Sequence, residues 1–298
     1  MLVAEKYRKA MYDKLSELDS FIALELENNK DIIKESIIVV IKREDGKTDP
    51  HGDIVGVGYL IKAASCYCPA DYKGIRYIHA SFKGFFEYEA EASDILIDRL
   101  IYDFRRNYKG YKLRLWCRAK NILYLDYLLG KGFLVEDTML VLERELKDEI
   151  DKKCTLNSIV NFGCYERDLD MDSYLQSNAL GFGIADSRYD MLYRLDFCKA
   201  RVYTAEEEGD IVAAITVWPL TYGTERRKYA TENIFCIPSK RRRGITYSLL
   251  NHVLEEVAKE GAALASLNVY GNNSEAINLY FKSGYEVVDV LLELHLNF

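Results

Sequence analysis

ENIFCIPSKRRRGIT, residues 232–246, decides how this chain is read. An apolar strand pattern runs into a turn with Lys240, Arg241, Arg242, Arg243 and Gly244, and the helical pattern ITYSLLNHVLEEVAKEG follows at residues 245–261. A strand, a basic glycine turn and a helix in that order build an anion site. The first N–H groups of a helix have no acceptor within it and carry the positive end of the helix dipole, so they take phosphate oxygens. About thirty residues on, the strand pattern ASLNVY (265–270) leads into NNSEAINLYFKSGY (272–285), a second short helix closed by a glycine.

Upstream of the basic turn, ARVYTAE (200–206) and DIVAAITVW (210–218) flank the turn EEEG and read as a hairpin, after helical material over residues 172–197. The first half has a similar plan. A helix is expected over residues 5–27, where Ala10, Met11, Leu15, Leu18, Phe21 and Ile22 recur at helical spacing. Strands are expected at 37–42 and 53–62 around the loop EDGKTDPHG, then at IRYIHASF (75–82). A helix over 92–107 buries Ile95, Leu96, Leu100, Ile101 and Phe104, and KLRLWCR (112–118), a short helix and TMLVLERE (138–145) complete this half. The charged run KDEIDKKC (147–154) reads as an exposed linker, so the expected domains are 1–148 and 149–298.

The two halves align at one offset. Asn121 and Asn273 lie 152 positions apart (273 less 121), as do Gly132 and Gly284, and Phe133 and Tyr285. This register sets EAEASD (89–94) opposite RRRGIT (241–246) and Leu128 opposite Tyr280. Carboxylates repel phosphate, so the first half is not expected to hold the anion.

Composition limits the partners. The chain has 298 residues, enough for two domains, and a formal charge of −7. An acidic chain with one short basic run suits a small anionic ligand and argues against a general role on nucleic acid. No apolar run is long enough to cross a bilayer, and the N-terminal residues become charged too early for a secretory signal, so the expected compartment is the cytoplasm. Seven scattered cysteines form neither a disulfide framework nor a zinc pattern, and the four histidines do not cluster with them, so no metal is expected.

With these motifs in place, the second half resembles the GNAT superfamily of acyl-CoA-dependent N-acyltransferases, and the whole chain looks like a tandem GNAT protein. The family's pyrophosphate motif is Gln or Arg, two residues, Gly, one residue, then Gly or Ala; here it reads Arg241, Arg242, Arg243, Gly244, Ile245, Thr246. Thr246 departs from the pattern by placing a β-branched side chain where the backbone approaches phosphate. Asn273, Ala276, Tyr280, Gly284 and Tyr285 match the family's downstream Asn, Ala, Tyr and Gly-aromatic positions.

The resemblance implies an α/β fold of two GNAT-like domains, each a mixed, mostly antiparallel sheet flanked by helices, with acetyl-CoA bound as co-substrate by the second. By the same analogy the backbone from Arg242 to Thr246 cradles the CoA pyrophosphate, and Asn273 bonds near the pantetheine arm. The N–H groups around Cys236 and Ile237 polarise the thioester, Tyr280 protonates the departing thiolate, and Glu232, placed at the opening of its strand, takes the amine proton. The implied reaction is direct attack by a primary amine of a small molecule, amino acid or peptide on the acetyl thioester. Plainer readings stand beside these: Tyr280 as a core residue, Glu232 as a surface strand-end carboxylate, and Asn273 as a helix N-cap. The rival functions are a non-catalytic acyl-CoA-binding or interaction module, and transfer from aminoacyl-tRNA, which the absence of a basic stripe disfavours. Acceptor identity, acyl-chain preference and oligomeric state are left open.

Overall fold

The computed structural model describes residues 2–6, 38–42, 53–62, 77–84, 89–146, 160–183, 186, 188–196, 198–220 and 227–297. They divide into two compact units: Met1–Cys117, Asn121–Glu136 and Glu293–Phe298 in the first, Arg118–Lys120 and Asp137–Leu292 in the second. The chain thus changes unit at several points, whereas the sequence suggests one cut between residues 148 and 149. The charged run 147–154, the loop 44–52 and the cysteines Cys66, Cys68 and Cys154 lie outside the described residues.

In the first unit, β1 (Leu2–Lys6), β2 (Ile38–Lys42), β3 (Asp53–Lys62) and β4 (Tyr77–Gly84) pair antiparallel in that order. The helix expected from residue 5 is corrected at its start: Glu5 and Lys6 extend β1, paired with Val39 and Ile38. The rest of that expected helix lies outside the described residues. Helix α1 (Glu89–Asn107) buries Ala92, Leu96, Ile97, Leu100, Ile101 and Phe104, so Ile97 takes the buried place expected for Ile95, which is only half-buried. β5 (Lys112–Arg118) runs parallel to β4, but their register covers only Tyr77–His79 with Lys112–Arg114, so the two strands part beyond that point. Helix α2 (Ile122–Gly130) follows, and then β6 (Leu134–Glu145).

The second unit carries β7 (Asn161–Tyr165), helices α3 (Met171–Phe182) and α4 (Arg188–Asp196), and β8 (Arg201–Glu207). β9 (Asp210–Leu220), β10 (Lys228–Cys236), α5 (Ile245–Lys259), β11 (Leu264–Tyr270), α6 (Ser274–Lys282) and β12 (Glu286–Leu296) complete the chain. Its strand order is β6-β11-β10-β9-β8-β7, with β10 and β11 parallel and the neighbouring pairs β6–β11, β9–β10, β8–β9 and β7–β8 antiparallel. Glu208 and Gly209 close the β8–β9 hairpin with φ of +54° and +90°, the left-handed pair that a two-residue turn needs. Alternate β9 residues serve two cores: Ala213, Ile215 and Val217 pack with Leu249, Leu250 and Val253 of α5, while Ala214 packs with Tyr174 and Met191 of α3 and α4. The helical material expected over 172–197 is two helices, because Gly183 takes φ +85° and ends α3.

The 152-residue offset survives as geometry. β5 and β11 coincide at both ends, as do α2 and α6, and α1 and α5 end in register at Asn107 and Lys259. Asn121 and Asn273 share φ −88° and ψ 69°.

Candidate functional site

The parallel register of β10 and β11 covers only Lys228–Ala230 with Leu264–Ser266, so beyond it the facing edges of these strands make no ladder. The other edge of β10 stays tied to β9 but carries a bulge. Glu232 pairs with Thr216 and Phe235 with Ala214, so Asn233 and Ile234 together oppose Ile215 alone. Asn233 sits at φ +48°, the left-handed region that asparagine tolerates better than most residues. Past the strand, Pro238–Lys240 form a 3-10 turn, Arg242 (φ +61°) and Gly244 (φ +78°) turn left-handed, and α5 begins at Ile245.

A cleft of about 960 Å³ opens where the strands part, lined by Ile234, Phe235 and Cys236 of β10, the turn from Lys240, the first turn of α5, and Asn273, Ala276, Leu279 and Tyr280. A Cβ added at Gly244 would meet nothing within 4 Å, so the backbone there faces open space. The N–H groups of Ile245, Thr246 and Tyr247 precede the first helical hydrogen bond, Ser248 N to Gly244 O, and have no acceptor within the helix. On α3, a Cβ added at Gly181 would come within 2.7 Å of the Phe235 ring, so only glycine lets that helix close against this wall.

The four cations do different things. Arg241 is structural: its guanidinium donates to the carbonyls of Cys236 (3.1 Å) and Gly181 (2.6 Å), fastening the turn to β10 and α3. Lys240 and Arg243 both pair with Glu207 at the end of β8, at 2.5 and 2.9 Å, and hold its carboxyl below the usual range. Arg242 is the open one, 89% exposed and only 3.4 Å from Glu275. Set against Glu207 and Glu275, these four leave the turn positively charged.

Cys236 and Ile237 separate. Ile237 N–H donates to Val212 O at 2.9 Å, which corrects its expected place as a thioester donor: the group is already committed to β9. Strand alternation turns the Cys236 N–H to the opposite edge, toward the cleft. The Cys236 thiol is buried and its pKa is pushed up, so it stays protonated, with the Thr246 hydroxyl as hydrogen-bond partner.

Tyr280 lines the cleft at 6% exposure, and among the described residues its hydroxyl has no hydrogen-bond partner. Its helix is pinned at the far end, where the Arg144 guanidinium donates to Ser283 O. Burial raises the phenol pKa, so Tyr280 holds its proton throughout the physiological range. Asn273 is the N-cap of α6, its Oδ1 accepting from Ala276 N at 3.2 Å, and it also faces the cleft.

Glu232 is the fifth residue of β10, which begins at Lys228, and does not open the strand as expected. It is half-buried on the Thr216 side of the bulge, and no hydrogen bond reaches its carboxylate from the described residues. Burial, opposed by Arg194 and reinforced by Asp186, raises its pKa above the usual carboxyl range. Sequence reading missed Asn233, Asp186, Arg194 and Glu207. Only Asn233 leaves a trace there, as an asparagine inside a strand pattern.

Residues 170–285 match the acetyltransferase (GNAT) family model. This region is a domain of that family. Over 113 residues it is 28% identical to the uncharacterized N-acetyltransferase YjgM of Escherichia coli, and over 94 residues 27% identical to the uncharacterized N-acetyltransferase YhfO of Bacillus subtilis. Those matches span 38% and 31% of this chain, and 67% and 63% of the two relatives. A tandem GNAT protein from the clavulanic acid biosynthesis pathway superposes with TM-score 0.68 at 10% identity, over 99% of this chain and 98% of that one, a likeness of fold alone.

Proposed function

We propose that this protein is an acetyl-CoA-dependent N-acetyltransferase acting on a primary amine of a small molecule, amino acid or peptide, with its chemistry in the second unit. The observation that carries this reading is one cleft with unsatisfied helix N–H groups at the basic turn and an unpartnered, protonated phenol further along it. The backbone from Arg242 to Thr246 takes the pyrophosphate of the co-substrate, Arg242 adds open positive charge, and Asn273 meets the pantetheine arm. The cleft-facing N–H of Cys236 polarises the thioester carbonyl. Glu232 removes the proton of the incoming ammonium, the amine nitrogen attacks the carbonyl carbon, and the C–S bond of the tetrahedral adduct breaks as Tyr280 gives its proton to the leaving thiolate, the surplus proton on the adduct's nitrogen then restoring the phenol. With its raised pKa, Tyr280 is a poor acid toward water but a competent one toward a thiolate that the same dry cleft makes more basic.

The first unit reads as a GNAT-like copy that has lost this site. At the positions of Ile234, Ala276 and Leu279, 152 residues earlier, stand Phe82, Tyr124 and Tyr127, and their rings pack at 5.8 and 6.4 Å. Where the second unit has its turn, α1 has its first turn, with Glu89 and Glu91.

The deciding experiment is thioester consumption from acetyl-CoA against a panel of primary amines, beside calorimetric binding of CoA. Turnover with at least one amine is expected. Tight CoA binding without transfer to any amine would replace this reading with a non-catalytic acyl-CoA-binding module.

A further inference from the structure

The bulge in β10 is held by groups that the reaction above does not use. Asn233, at φ +48°, donates from Nδ2 to Asp186 Oδ2 at 2.8 Å. The same oxygen accepts from Arg194 Nη1 of α4, also at 2.8 Å. The backbone N–H of Asp186 in turn donates to Oδ1 of Asn178 on α3, at 2.8 Å. Asp186, Arg194 and Asn178 are all buried, as is Tyr174, whose ring meets Phe235 edge-on at 5.8 Å. Two helices therefore converge on one left-handed asparagine in the middle of a strand.

That asparagine decides how the two ends of the site face each other. Glu232 precedes the bulge and Cys236 follows it, and both flanks are fixed by β9: Glu232 opposite Thr216, Cys236 opposite Ala213, Ile237 N–H on Val212 O. With the flanks anchored, only the dihedrals of Asn233 and Ile234 can absorb the extra residue. A relaxed Asn233 would seek the extended region and turn the following peptide over, since side chains and N–H groups alternate along a strand. The base and the cleft-facing N–H would then lose their alignment, while the pyrophosphate turn at residues 241–246 would keep its own.

We propose that Asn233, Asp186 and Arg194 form a buried latch that holds the β10 bulge in its working geometry, making Asn233 and Asp186 positioning residues for acyl transfer. The inference rests on the acetyltransferase reading for its kinetic consequence and on the hydrogen bonds of Asp186 alone for its structural one. Burial raises the proton affinity of Glu232, and Arg194 and Asp186 of the latch act on it with opposite sign.

The test uses the full chain with Asn233→Gly, which tolerates the positive φ but lacks the amide, Asn233→Asp, which faces Asp186 with a like charge, and the exchange variant Asn233→Asp with Asp186→Asn, which restores a donor opposite an acceptor. Asn233→Gly and Asn233→Asp should lower kcat about tenfold or more with acetyl-CoA affinity held within about twofold, a split that a loss of general stability does not produce. Hydrogen exchange at the amides of residues 234–236 should quicken in both, and the exchange variant should recover kcat and protection relative to Asn233→Asp. Wild-type kcat and protection in Asn233→Gly would overturn the latch, as would an exchange variant that folds and recovers neither. A wild-type protein that transfers acetyl to no amine would instead sink the functional reading, and the amide exchange would still decide the latch. Should Asp186→Asn fail to fold, Asn233→Gly decides alone.

Discussion

At the scale of single residues, the proposed acid and base differ in protonation. Tyr280 is buried and holds its proton, whereas Glu232, as the proposed base, must lose one before it can act. Tyr280→Phe removes only the hydroxyl from a wall that otherwise keeps its shape, so kcat should fall about 10²-fold with acetyl-CoA affinity unchanged, as steady-state kinetics beside calorimetry will show. Wild-type turnover in that variant would remove Tyr280 from the proton path. For Glu232 the sign is set by burial: with the folded pKa raised, the ionised base accumulates only above the ordinary carboxyl range, and activity should climb with pH through that raised value. Glu232→Gln should lower kcat and abolish this acid limb of the pH–rate profile; an unaltered limb would assign it to another group. Asn273 shows that one side chain can meet two demands, capping α6 through Oδ1 while facing the cleft.

At the scale of elements, the turn between β10 and α5 works through its backbone more than through its arginines. Arg241 braces the turn, Lys240 and Arg243 are matched by Glu207, and the proposed pyrophosphate site is left with the open N–H groups and Arg242. Gly244→Val therefore has two effects: it strains a residue at φ +78° and fills the open space above it. CoA should then no longer raise the melting temperature, as it does for any ligand that binds the folded state alone. An undiminished shift would take the turn out of the site. Gln at Arg242, by contrast, leaves the backbone alone and should weaken CoA binding by about tenfold or less, with a shallower salt dependence in a titration series.

At the scale of the whole chain, the two units are alike in element order and unlike in chemistry. Each has a parallel strand pair that parts after three paired positions, β4 with β5 and β10 with β11. In the second unit the gap is a cleft, and in the first Phe82, Tyr124 and Tyr127 pack at the corresponding positions while α1 extends over the ground of the turn. Calorimetric titration should therefore find one CoA site per chain; a stoichiometry near two would show that the aromatic packing yields to the ligand. No helix among the described residues is long and apolar enough to cross a membrane.

What the sequence determined by itself is whatever depends on near neighbours along the chain. The periodicity of α5, the glycine that ends α6, the basic turn with its preceding strand, and the 152-residue offset are local patterns, and β5, β11, α2 and α6 follow them closely. Tertiary structure decided what depends on distant partners. Leu2–Lys6 became a strand because β2 offers it a ladder, and the Ile237 amide was lost to the site because Val212 accepts it. Asp186 reaches Asn233 from 47 positions away (233 less 186), and Arg194 meets the same Asp186 oxygen, a juxtaposition that no local period encodes. A hydrogen bond depends on where the fold brings its two ends, and the bonds around the β10 bulge join ends that lie far apart in the chain.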